Sequence, residues 1–247
     1  MRETITFDHH AEHAWLHFTI RLFIVLLILF LLLVLTENSF GQTVPREMTK
    51  AEVWEAERRL CKLGYWTGPI DGTFDNGSKQ ALIAFQKIEG RKRTGKLTIE
   101  ELEAIRLAHR PEPLDTTYPH IEIDLRRQVL MFVNEKGQAA SILPVCTGSE
   151  QKYLDGGTWA RAHTPRGKFI VTRKINGWRL SRLGLLYYPN YIHNGIAIHG
   201  SPSMNMYPAS HGCIRIPMFA AKDVSEMTPV GTVVVVYDSH RDPTLGI

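Results

Sequence analysis

Cysteine is scarce in this chain: 247 residues carry three, Cys61, Cys146 and Cys213. An odd number cannot pair completely, so at least one thiol stays free even in an oxidising compartment. No Cys/His cluster has metal-ligand spacing, and neither a metal nor any other cofactor is expected. The one concentration of histidine, His9-His10 with His13 and His17, falls in an N-terminal tail and is not read as a metal site. Strong charge of one sign is also missing. The formal net charge is +4 with an isoelectric point near 9.0, enough for a mild attraction to anionic polymers or headgroups. The only basic cluster, Arg91-Lys92-Arg93, has no interleaved aromatic residues, which argues against nucleic-acid binding.

The uninterrupted apolar run is Leu22 to Leu35. That is short for a membrane span and suits the h-region of a signal peptide. Adding Leu16 to Ile20 gives a span of about the right length, with Arg21 able to snorkel, and Ser39-Phe40-Gly41 offers a small-x-small cleavage site. Residues 1–41 are therefore expected to be a signal peptide or an uncleaved membrane anchor. Either one places the chain outside the cytoplasm.

From Thr49 to Ala108 the pattern is helical. Trp54, Leu60 and Leu63 fall on one face of a helix that Gly64 ends. A second helix is expected from Asn76 to Ile88 with Ala81, Leu82 and Phe85 inward, and a third from Thr98 to Ala108 with Glu101 completing a capping box. Cys61 in the first helix and Cys146 at a strand end are expected to be small buried hydrophobes. Pro111-Glu112-Pro113 makes residues 109–117 a stiff linker.

Residues 118–240 then read as mainly β. Ile121 and Ile123 alternate with polar neighbours, and Gln128 to Asn134 is followed by a hairpin turn at Glu135-Lys136-Gly137 and a strand to Val145. Further strands are expected over 168–173, 195–199 and 232–237, with Pro217 opening a short helix to about Met227. Residues 146–164 and 175–191 read as long loops of the kind that form lids or binding walls. The expected fold class is α+β and multidomain: a small three-helix module, then a mainly-β domain with a short helix after the nucleophile.

The chemistry concentrates in Ala197-Ile198-His199-Gly200 and Ser210-His211-Gly212-Cys213-Ile214-Arg215. A thiol is mostly protonated at neutral pH, so an acyl-transfer cysteine needs a neighbour to take its proton. A buried strand at Ile196-Ala197-Ile198 would hold His199 rigidly for that role. Gly212 before Cys213 lets an acyl group approach backbone N–H groups that can stabilise an oxyanion.

These runs, with Thr164-Pro165-Arg166-Gly167-Lys168-Phe169 upstream, resemble the L,D-transpeptidase catalytic domain of bacterial cell-wall enzymes. Leu63-Gly64-Tyr65, Gly68-Pro69-Ile70-Asp71-Gly72 and Ala81 to Gln86 resemble the small three-helix peptidoglycan-binding domain, with a departure at Gly95-Lys96-Leu97-Thr98. The resemblance implies Cys213 as nucleophile and His199 as base, the Gly200 carbonyl orienting the imidazole. It implies His211, Gly212 and Cys213 N–H groups as the oxyanion hole and Arg215 as a hold on a substrate carboxylate. It further implies cleavage of a stem tetrapeptide before its terminal D-alanine and transfer to an amine, giving a 3→3 crosslink. Water or another amine would make the reaction an L,D-carboxypeptidase or protein-anchoring one. The implied partners are peptidoglycan and, through an uncleaved N-terminal segment, the membrane. A papain-like hydrolase would place its cysteine before its histidine, and a sortase lacks the S-H-G-C run. A non-catalytic wall-binding protein would not need the cysteine and histidine.

Overall fold

The computed structural model describes residues 23–28, 30 and 46–238, and the chain divides into two compact units, Met1–Glu47 and Met48–Ile247. In the first, residues 23–28 are helical and exposed. The rest of the expected signal or anchor segment, with its cleavage site, lies outside the described residues. Among the described residues no helix is long and apolar enough to cross a membrane.

The second unit opens with helices α1 (Lys50–Leu63), α2 (Asn76–Ile88) and α3 (Ile99–Leu107). Each starts where a side chain can accept from a free backbone N–H: Thr49 from Glu52, Asp75 from Ser78 and Thr98 from Glu101. The reciprocal capping box is at Thr49 and Glu52. It does not form at Thr98, because Glu101 pairs with Arg91 at 3.0 Å instead. Ala81, Leu82 and Phe85 are fully buried, as their spacing predicts. Trp54 is not: Val53, Ala56 and Leu60 form the inward face of α1, and Trp54 lies exposed beneath the Arg58 guanidinium. Cys61 is exposed as well, since the residue after Leu60 turns about 100° away from the packed stripe.

The strands are β1 (His120–Asp124), β2 (Val129–Val133), β3 (Ala139–Pro144), β4 (Lys152–Asp155), β5 (Thr158–Arg161) and β6 (Gly167–Ile170). They continue with β7 (Arg173–Lys174), β8 (Trp178–Ser181), β9 (Gly184–His193), β10 (Ile196–Ser201), β11 (Ile214–Pro217) and β12 (Val233–Tyr237). A single turn at Met218–Ala220 and helix α4 (Ala221–Glu226) follow β11. One sheet has the order β3-β2-β1-β12-β6. The other runs β11-β10-β9-β7 with β8 also on β9, and β4 pairs with β5. The two segments expected as loops are thus largely hairpins, β4–β5 and β8–β9.

The sheets share a core in which Ile121, Ile123, Leu130 and Leu143 meet Ile198, Ile214 and Ile216. Alternation in β1 predicts a strand with one wet face, yet all five residues are buried. The linker supplies the cover: Leu114 and Asp115 N–H donate to the Glu122 carboxylate at 2.9 Å each. β2 is covered on both sides as well. Leu130 faces the β core, while Val129 and Met131, with Ala139 and Ile142 of β3, pack against the helices. Trp66 N–H donates to Ile142 O and Ile142 N–H to Gly64 O, at 3.0 and 2.8 Å. The helical module and the first sheet are built on one apolar interior.

Candidate active site

Parallel pairing of β10 and β11 sets Ile198 beside Ile214 and His199 beside Arg215. Side chains alternate along a strand. Because Ile198 and Ile214 point into the core, Ala197, His199 and Arg215 face the other way, as does Cys213 just ahead of β11. That face opens into a cavity of about 700 Å³ lined by His199, Cys213 and Arg215, with Tyr153 of β4, Trp178 of β8 and Tyr191 of β9. The two hairpins are therefore walls of the cavity. A second cavity, about 800 Å³ between Ile88, Leu107 and Pro111, contains none of the motif residues.

His199 is 5% exposed, and its Nδ1 lies 2.9 Å from Gly200 O. A carbonyl oxygen only accepts, so Nδ1 carries the proton of the neutral ring and Nε2 is left as an acceptor. Burial pulls the His199 pKa from 6.5 to about 4. The Gly200 hydrogen bond opposes this shift, and the Arg215 charge adds to it. Cys213 packs against Leu186, Tyr191 and Ala197. Burial pushes its pKa up, while the Ala197 N–H and Arg215 favour the thiolate. The Cys213 thiol points to Gly195 O at 3.8 Å, and His199 shares the cavity as a neutral imidazole.

The turn before Cys213 is tied by hydroxyls. Ser210 Oγ donates to Cys213 O at 2.6 Å and accepts from Gly212 N–H at 3.0 Å. Thr164 Oγ1 donates to Gly212 O at 2.7 Å. The Gly212 amide, expected among the oxyanion donors, is thus engaged by Ser210. Gly212 has a φ of +134°, and a Cβ there would lie 2.8 Å from His163 O, so only glycine fits this turn. The His211 ring is exposed and packs edge-on to Tyr153, with centroids 4.5 Å apart. Ser210 stands inside the S-H-G-C run, but its own role, like those of Thr147 and Gln128, is not marked in the sequence. Gln128 Nε2 donates to Thr147 Oγ1 (2.7 Å), and Thr147 O accepts from Ser210 N–H (2.9 Å), so all three support the turn before Cys213. Among the described residues no group of three or more His, Cys, Asp or Glu side chains could hold a metal ion.

A family model for the L,D-transpeptidase catalytic domain matches residues 118–236, and one for a peptidoglycan binding domain matches residues 49–105. An L,D-transpeptidase crystal structure from Xylanimonas cellulosilytica is 35% identical, with a TM-score of 0.73 over 80% of this chain and 98% of that one. The chain belongs to the L,D-transpeptidase family. A second L,D-transpeptidase structure, from Stackebrandtia nassauensis, is 20% identical with a TM-score of 0.47 over 80% of this chain and 96% of that one. No curated protein matches the chain. The residues that line the 700 Å³ cavity fall within the segment matched by the catalytic-domain model.

Proposed function

We propose that Cys213 and His199 carry a peptidoglycan L,D-transpeptidase reaction that ends in a 3→3 crosslink. The observation that supports it is the shared face: Cys213, His199 and Arg215 open into one cavity, with the imidazole held in the tautomer that can accept a proton. Cys213 Sγ attacks the carbonyl of the third stem residue as His199 Nε2 takes the thiol proton. The resulting oxyanion is held by the His211 and Cys213 N–H groups, since Gly212 N–H is engaged. Collapse breaks the C–N bond, and His199 returns the proton to the departing D-alanine amine. The amine of a second stem then attacks the thioester, loses its proton to His199, and releases the thiol. Arg215, which lines the same cavity, is proposed to hold a stem carboxylate. The helical module is proposed to bind the wall, and this chemistry places the protein outside the cytoplasm.

The test is to incubate the full chain with defined tetrapeptide muropeptides and identify products by mass. Crosslinked dimers lost in Cys213→Ala support the reading, with a stability change within about 1 kcal/mol because a half-buried thiol contributes little packing. Tripeptide alone would assign water as the acceptor. Turnover by Cys213→Ala would remove the mechanism.

A further inference from the structure

Lys87, near the end of α2, is only 3% exposed, and its ammonium reaches out of the helical module into the β domain. Its Nζ donates to Val145 O at 2.8 Å and Gln128 O at 3.1 Å. These carbonyls stand where the β2–β3 ladder ends, and Val145 N–H itself donates to Gln128 O. A methionine or leucine would fill the same space without desolvating a charge. Burial, then the nearby Arg93 charge, pulls the Lys87 pKa down to about 7. The position therefore bears a cost that packing alone does not require.

The segment that Lys87 grips is the platform under the nucleophile. Cys146 and Arg215 exchange both backbone hydrogen bonds at 3.0 Å. Thr147 O accepts from Ala209 and Ser210 N–H, and the Gln128 side chain brackets Thr147 through Nε2 to Oγ1 and Oε1 from N–H. Ser210 then bonds Cys213 O. A second tie reaches the same turn from the other side. Arg93 donates to Met206 O at 2.9 Å and stacks 4.9 Å over the Tyr207 ring.

We propose that Lys87 and Arg93 are positioning residues for the turn that carries Cys213, so that the helical module completes the catalytic site as well as adjoining it. The inference rests on Cys213 being the nucleophile.

The experiment compares full-chain Lys87→Met and Arg93→Ala with Leu102→Ala, a control that damages the helical core away from the turn. Acylation of Cys213 by a carbapenem is followed by mass spectrometry for rate constant and for end-point stoichiometry. A native protein not acylated at Cys213 would refute the nucleophile assignment itself. With the native protein acylated, both test variants are expected to react roughly tenfold more slowly, the scale of a small misplacement, yet reach the native end point. Amide exchange over residues 206–213 should rise in both. The control should keep the native rate constant whatever its loss in Tm. A structural role alone would lower end point and Tm together and leave the rate of the folded fraction native, which overturns the proposal. If Lys87→Met does not fold, Arg93→Ala decides by itself, its side chain being half-buried.

Discussion

Burying an imidazole with no counter-ion lowers its proton affinity, and His199 shows the result in a pKa of about 4. A base that low stays neutral through mildly acidic conditions. Acylation of Cys213 by a β-lactam is therefore expected to hold its rate from pH 7 to about pH 5 and to fall only towards pH 4. A midpoint near 6.5 in a stopped-flow profile would contradict this. The same shift affects stability. The unfolded chain takes up the His199 proton near 6.5 and the folded chain only near 4, so stability falls as pH drops through that window. At about 1.4 kcal/mol per tenfold change in proton affinity, the loss is about 3–4 kcal/mol. Denaturant melts of native protein and His199→Asn should converge as pH falls. The other thiols divide by exposure. Cys61, exposed on α1, should react with a maleimide in the native protein, while Cys146, fully buried, should react only after unfolding. Equal labelling of the two under native conditions would contradict the fold around β3.

The turn between β10 and β11 depends on Ser210 as much as on Gly212. Ser210→Ala removes one hydrogen bond to Cys213 O and leaves Gly212 N–H without its acceptor. The expected cost is about 1–3 kcal/mol in stability, with acylation slowed because Cys213 loses its fixed backbone. Thermal melts and carbapenem kinetics on the variant measure the two effects separately, and native values for both would show that the hydroxyl is idle. This residue is hard to read in sequence, whereas Cys213 and His199 stand out as candidates. A cysteine and a histidine set among glycines are chemically marked, whereas a serine is common and gains its meaning from two backbone partners. The hairpins were hidden for a related reason. Leu154, Trp159, Trp178 and Leu180 are exposed apolar residues, so β4, β5 and β8 lack the one-sided burial that makes alternation legible. The helices of the N-terminal module follow their periodicity, apart from the outward Trp54 and Cys61.

The sharing of one interior by helices and sheet has the widest reach. The run Val129 to Val133 reads as a buried strand, but nothing in it says that one of its faces is covered by α2. The sequence therefore suggests a separable module, whose removal should spare chemistry on small soluble peptides. The structure leads to the opposite expectation. Deleting residues 49–108 bares Val129, Met131 and Ile142, each worth about 1.5–3 kcal/mol of burial. That approaches the whole net stability of a domain, about 5–15 kcal/mol. The full unit Met48–Ile247 should melt in one calorimetric transition, and the deletion should give none. A truncated protein that melts cooperatively near the native Tm would show that the first sheet stands without the helices.

Chains are synthesised from the N-terminus. In that order α1, α2 and α3 emerge before Val129 or Ile142 has been made, and α2 has no β3 to lie on. For that interval the apolar flank meant for the sheet stands open, a surface for a holding chaperone or for aggregation. Folding of this chain is then a late event in its synthesis: the first segment made must wait for the middle of the chain to arrive.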